Sequence, residues 1–197
     1  MKPKFSTLII LTLLSACLLA PFVVSPIYLD MLRERSIELH RFIRGELYKQ
    51  TTGYVALAFV VVEMLLSLRK RGRKWLGKLK LPGSMLLWRS LHIFLGVGLL
   101  AVVAVHTLGA TGLNFNAIFL WVFFAVTLSA LVGVVAETGV LESSRKFFGI
   151  PGNKDLVIKK GPLIRNMRDI WLPTHIFLVS IFMLMLGVHI FLAYYYA

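Results

Sequence analysis

Residues 85–109 read MLLWRSLHIFLGVGLLAVVAVHTLG, and residues 171–196 read WLPTHIFLVSIFMLMLGVHIFLAYYY. Each is an apolar run long enough to cross a bilayer as a helix, for which about 20 residues are needed. Each also carries two histidines fourteen positions apart, His92 with His106 and His175 with His189. At about 1.5 Å and 100° per residue, that separation advances about 21 Å and ends within about 40° of the starting direction. The two imidazoles of each helix therefore share one face at two depths.

The surrounding chain has the same character. Its 197 residues are 58% hydrophobic, and the mean hydropathy of +0.80 is too high for a domain that must cover itself with polar surface in water. Five stretches read as candidate spans, at about 5–28, 53–68, 85–109, 116–137 and 171–196. No ten-residue alternation typical of membrane strands is present. The expected fold is an all-α integral membrane protein, a five-transmembrane-helix bundle forming a single domain over 1–197.

The net charge of +13 is distributed as a membrane protein requires. Lys2 and Lys4 precede the first span, Arg69, Lys70, Arg71, Arg73, Lys74, Lys78 and Lys80 fall in a loop at 69–84, and Arg145, Lys146, Lys154, Lys159, Lys160, Arg165 and Arg168 in a loop at 138–170. On the other side, 29–52 nearly balances Arg33, Arg35, Arg41, Arg44 and Lys49 with Asp30, Glu34, Glu38 and Glu46, and 110–115 is uncharged. The positive-inside rule then predicts a multi-pass protein of the cytoplasmic (inner) membrane, with the N-terminus and both basic loops in the cytoplasm and the C-terminus outside. This explains the basicity without nucleic acid. Cys17 is the only cysteine, so an intrachain disulfide, a cysteine-ligated cluster and covalent haem attachment are excluded. Leu14-Ser15-Ala16-Cys17 is similar to a lipoprotein cleavage box, but Leu18 to Val24 prolong the apolar run, and a retained span is expected.

Segment 29–52 mixes Leu32, Ile37, Phe42, Ile43 and Leu47 with charges and predicts a short amphipathic helix on the outer membrane surface. Leu81-Pro82-Gly83-Ser84 marks a stop followed by a helix cap, and Gly149, Pro151, Gly152, Gly161 and Pro162 predict an irregular cytoplasmic connection. Trp88 and Trp171 sit at equivalent interfacial depths, as do the closing tyrosines 194–196 on the far side.

Imidazole suits iron, and two imidazoles from facing helices can clasp a haem from both sides. One intervening helix makes the third and fifth spans co-directional, so depth predicts an inner pair, His92 with His175, and an outer pair, His106 with His189. The expected cofactors are two non-covalent haem b groups stacked across the membrane, with quinone as a further candidate. Gly96, Gly98, Ala101, Ala104 and Gly187 would leave room for a porphyrin, though such residues also serve close helix packing. Arg89, three residues before His92, is placed to meet an inner haem propionate or to snorkel at the interface. Glu63 and Glu137 read as partners of the basic loops or of Arg89, or as proton acceptors for a quinol. His40 reads as solvated, and Asn114 and Asn116 as helix-cap residues or contacts for an outer acceptor. No dinucleotide fingerprint or phosphate-binding loop is present, so this is expected to be an oxidoreductase component without its own nicotinamide or flavin site.

In these residues the chain resembles dihaem b-type membrane cytochromes, in particular the transmembrane domain of the ferric reductase and NADPH oxidase superfamily. The likeness covers about 85–196 and rests on His92, His106, His175 and His189, with Trp88-Arg89 before the first. It implies haems held between the third and fifth helices that pass electrons from cytoplasm to outside. The chain departs from that pattern in stopping after a fifth span with no flavin and nicotinamide domain, and it lacks the Pro-Glu-Trp-Tyr motif of respiratory cytochrome b. The expected function is transmembrane electron transfer by a dihaem subunit of a membrane redox complex, between a cytoplasmic flavoprotein, iron–sulfur protein or quinol and an extracytoplasmic cytochrome c or other acceptor. A quinone-reactive anchor of a respiratory oxidoreductase, and a haem-free metal transporter or structural membrane subunit, are the alternatives.

Overall fold

The computed structural model describes residues 3–71, 83–109, 113–150 and 153–195. In chain order the elements are α1 (Phe5–Val23), α2 (Ser25–Arg35), α3 (Ile37–Arg44), α4 (Glu46–Arg71), α5 (Met85–Thr107), α6 (Phe115–Glu142), β1 (Phe147–Ile150), β2 (Asn153–Lys159) and α7 (Lys160–Tyr195). Among the described residues the protein is all-α apart from one short hairpin. Among the same residues, α1, α5, α6 and α7 are long and apolar enough to cross a membrane, which makes this a multi-pass membrane protein. The remaining expected span, at 53–68, lies inside α4, which is not one of these four.

Several boundaries differ from expectation for identifiable reasons. The first apolar run does not continue to 28, because α1 ends at Val23 and α2 restarts at Ser25 with a proline in its first turn. Proline has no N–H to continue a helix but suits the beginning of one. Segment 29–52 is not one surface helix. It is divided among α2, α3 and the start of α4 by Ser36 and by Gly45, which leaves helical geometry at φ −60° and ψ 146°.

Of the connection at 138–170, the described residues form regular elements rather than an irregular loop; Pro151 and Gly152 lie outside the described residues. Helix α6 runs on to Glu142, and β1 then pairs antiparallel with β2, Phe147 opposite Lys159 and Phe148 opposite Ile158, with a register shift between Gly149 and Ile150. Helix α7 begins at Lys160, well before the expected 171, and absorbs Gly161 and Pro162 into its first turn, where a missing N–H is harmless. Most of the basic loop after α4, including Arg73, Lys74, Lys78, Lys80 and the Leu81-Pro82 stop, lies outside the described residues, as do 110–112 of the outer link and Tyr196.

The chain falls into two compact units. The first takes in Pro3 and 13–112, the second 4–12 and 113–197. In the first, α4 packs against α5. Thr52 of α4 meets His106 near the end of α5 while Glu63 meets His92 near its start, so the two helices run antiparallel. Ser84 caps α5 by accepting from the Leu87 N–H at 3.2 Å. At the other end Leu108 adopts left-handed geometry and Gly109 follows at φ 125°. A Cβ at Gly109 would lie 2.6 Å from Ser25 Cβ and from the Tyr28 hydroxyl, so this close approach of α2 requires glycine.

In the second unit α6 packs against α7, also antiparallel, since Asn116 meets His189 and Ser129 meets His175. Asn114 caps α6 through the Ala117 N–H at 2.9 Å. Phe119, Phe123 and Phe182 stack at centroid separations of 5.3 and 5.6 Å. The start of α1 belongs here: Phe5 lies against Gly139 and its N–H donates to Glu142. Hydroxyls within the apolar helices bond back to the carbonyl four residues earlier, as Thr12, Ser90, Thr127, Thr174 and Ser180 do. This satisfies them where water is absent.

Candidate functional site

The four intramembrane histidines share one local chemistry. Each Nδ1 is engaged by a polar side chain of the helix that precedes it in the chain and packs beside it. Thr52 Oγ1 lies 2.9 Å from His106 Nδ1, Ser129 Oγ 3.1 Å from His175 Nδ1 and Asn116 Oδ1 3.1 Å from His189 Nδ1. The Glu63 carboxylate meets His92 Nδ1 directly.

These partners specify the tautomer. The single Thr52 hydroxyl proton goes to the Tyr48 carbonyl at 2.7 Å, and that of Ser129 to the Val126 carbonyl at 2.8 Å. Toward the imidazoles both oxygens are therefore acceptors, as is the Asn116 carbonyl oxygen. The rings of His106, His175 and His189 carry their proton on Nδ1 when neutral, which puts the basic lone pair on Nε2, and the Glu63 carboxylate lies against the corresponding nitrogen of His92. A metal-ligating histidine is commonly oriented in just this way, donating its other N–H to a neighbouring oxygen.

In the first unit His106 is anchored on several sides. Its ring lies over the bare backbone at Gly53, where a Cβ would stand 3.3 Å from Cε1. The last-turn carbonyls of α5, which lack helix partners, accept from side chains instead: Val105 from Tyr48 at 2.7 Å, His106 from Lys49 Nζ at 2.6 Å and Leu108 from Tyr28. Burial, and next the charge of Arg44, hold the Lys49 ammonium below its ordinary pKa. Toward the other end of α5, His92 and the buried Glu63 share a shallow cleft with Val62, Trp88, Leu91 and Leu95. The Arg69 guanidinium lies 5.4 Å over the Trp88 ring.

In the second unit His175 follows Trp171 by one turn, with ring centroids 6.4 Å apart. The indole fills the notch left by Gly133, where a Cβ would come within 2.6 Å of Trp171 Cε3. Gly133→Ala should therefore cost about 1–3 kcal/mol through overpacking, read as a lower unfolding temperature in detergent. Trp171→Ala in the same chain should remove the sensitivity. His189 lies 5.3 Å from the Phe119 ring. Glu137, buried on α6, is paired with Arg168 of α7.

Each sequence-derived candidate can now be placed. His92 and His106 lie on α5, and His175 and His189 on α7. Arg89 stands half-buried one turn before His92. Glu63 meets His92, and Glu137 pairs with Arg168 of the basic segment. Asn114 is a cap, His40 lies on α3 and Cys17 is exposed on α1. Reading the sequence gives no sign of Thr52 or Ser129, takes Asn116 for a cap or an acceptor contact, and finds in Lys49 only one charge of a balanced segment. Among the described residues no three His, Cys, Asp or Glu side chains converge as a metal-ion site, so the imidazoles do not form a closed site of the zinc type. A Cβ built at Gly96, one turn after His92, or at Gly187, two residues before His189, meets nothing within 4 Å among the described residues, whereas one at Gly98 would press on Phe59 at 3.1 Å. Gly98 serves packing; Gly96 leaves space on the His92 face of α5, whereas Gly187 faces away from His189. No protein-family model, curated protein or solved structure matches the chain.

Proposed function

We propose that the chain is a dihaem b-type cytochrome that carries electrons across the cytoplasmic membrane as a subunit of a larger redox assembly. The observation that carries this reading is the shared arrangement of the four histidines, each with Nδ1 turned to an oxygen of the neighbouring helix, and with the lone pair on Nε2 at His106, His175 and His189. The bare backbone at Gly96, on the His92 face of α5, supports it by leaving room for a flat macrocycle. A haem with two imidazole ligands has no position open to oxygen or substrate, and the chemistry it supplies is one-electron transfer.

In this reading His92 and His175 hold the inner haem, and His106 and His189 the outer one, a pairing taken from helix order and matched depth. Thr52, Ser129, Asn116 and Glu63 aim the rings and raise their basicity as ligands. Arg89 pairs with an inner propionate. The segment 53–68 of α4 is the second of five spans, and the basic loops lie in the cytoplasm. The inner partner is a flavoprotein or iron–sulfur protein, and the outer partner a cytochrome c or other extracytoplasmic acceptor. Quinol is the alternative inner donor, and the apolar cleft bearing Glu63 and His92 is the place where its headgroup would lie.

The purified chain, expressed with ample haem supply, should give a reduced-minus-oxidised visible spectrum of b type and two haems per polypeptide. A colourless protein would favour the metal-transporter or structural reading instead.

A further inference from the structure

We infer that Glu63 and Lys49 hold the two haem sites of α5 at different reduction potentials, the His92 site low and the His106 site high. This rests on the haem reading above and concerns how the chain biases electron flow. Thr52, Ser129 and Asn116 are neutral partners for three of the Nδ1 atoms, whereas that of His92 is ion-paired with the carboxylate of Glu63. A carboxylate against the ring makes the imidazole a stronger donor to iron, and its negative charge favours the oxidised state of whatever that imidazole ligates. Glu63 is buried in an apolar stretch, where screening by water is weak.

The other end of the same hairpin carries the opposite sign. Lys49 Nζ lies 2.6 Å from the carbonyl of His106 itself, with Arg44 close enough for its charge to act on Lys49. Positive charge there favours the reduced state. Arg89 would oppose Glu63, but a propionate partner neutralises it locally. In the second unit Glu137 and Arg168 pair with each other, so the contrast comes from the first unit. One electron passing inward to outward oxidises the His92 site by one and reduces the His106 site by one, with no bond made or broken. It enters from a reduced flavin or iron–sulfur partner and leaves to an oxidised extracytoplasmic haem protein. The charge arrangement places its equilibrium toward the outer site.

Optical redox titration of the full chain in detergent tests this, because it reports both midpoints without any partner. Glu63→Gln should raise the lower midpoint and leave the upper one in place; Lys49→Met should lower the upper midpoint alone. Each should change the electron distribution between the sites by about tenfold, the scale of one charge-assisted hydrogen bond. The charge-keeping variants Glu63→Asp and Lys49→Arg should stay closer to the wild type than their neutral counterparts, which separates charge from packing. Two haems whose midpoints ignore Glu63 and Lys49, or move in the opposite senses, would overturn this inference and leave the haem reading standing. A full chain that binds no haem would overturn both.

Discussion

On the proposed dihaem reading, His175→Ala protein should hold one haem per chain in place of two, and the haem retained should be the outer one. A lone imidazole facing an alanine gives the iron one protein ligand instead of two, and non-covalent haem b in a chain with no cysteine pair has no other tether. The reduced-minus-oxidised amplitude should fall by about half, and extraction with acidic solvent should give the same count. His189→Ala should instead spare the inner haem, so the two variants differ in which redox midpoint survives. Ser129→Ala is the graded form of the test. It leaves the ligand but removes the acceptor that holds His175 Nδ1 at 3.1 Å, and losses of 10–100-fold in affinity are usual for such partners. Two haems remaining in His175→Ala protein would refute the pairing.

Arg168→Ala should be among the most destabilising single changes in the second unit. Glu137 is 1% exposed, and the mutation deprives its carboxylate of the guanidinium that neutralises it. Breaking a buried ion pair from one side costs about 3–5 kcal/mol; because Arg168 keeps 47% of its side chain accessible, the lower end of that range is expected. Thermal unfolding in a mild detergent reads the loss. Glu137→Gln combined with Arg168→Ala should recover most of it, since an amide carries no charge to bury. A double variant no more stable than the single one would show that the pair acts through shape alone.

The apolar runs at 85–109, 116–137 and 171–196 were legible because a membrane helix must bury its backbone polarity internally and therefore announces itself by length. Ends were less legible. Val24 interrupts what reads as a continuous run because Pro26 favours a fresh start, and composition alone does not say whether proline continues, bends or restarts a helix. The hairpin Phe147–Lys159 was read as irregular because Gly149, Pro151 and Gly152 resemble loop punctuation, and strand pairing depends on a partner segment that local pattern does not supply. Around the histidines, the four rings are visible in the sequence and the side chains that engage them are not. Ser129 is one of many hydroxyls that satisfy themselves inside an apolar helix, and it also serves His175 only because α6 and α7 run antiparallel in one register. Lys49 was counted as one charge among several in a balanced outer segment; its place at the His106 carbonyl follows from α4 beginning at Glu46 and reaching that depth as helix.

Since each of the four imidazoles of α5 and α7 is braced by the helix made immediately before its own, each hairpin can aim its two rings as soon as it closes, without waiting for the other half of the chain. A cofactor arriving after insertion would thus meet side chains whose rotamer freedom is already spent, and little ordering would be left to oppose its capture. Maturation could then begin on a chain still leaving the ribosome.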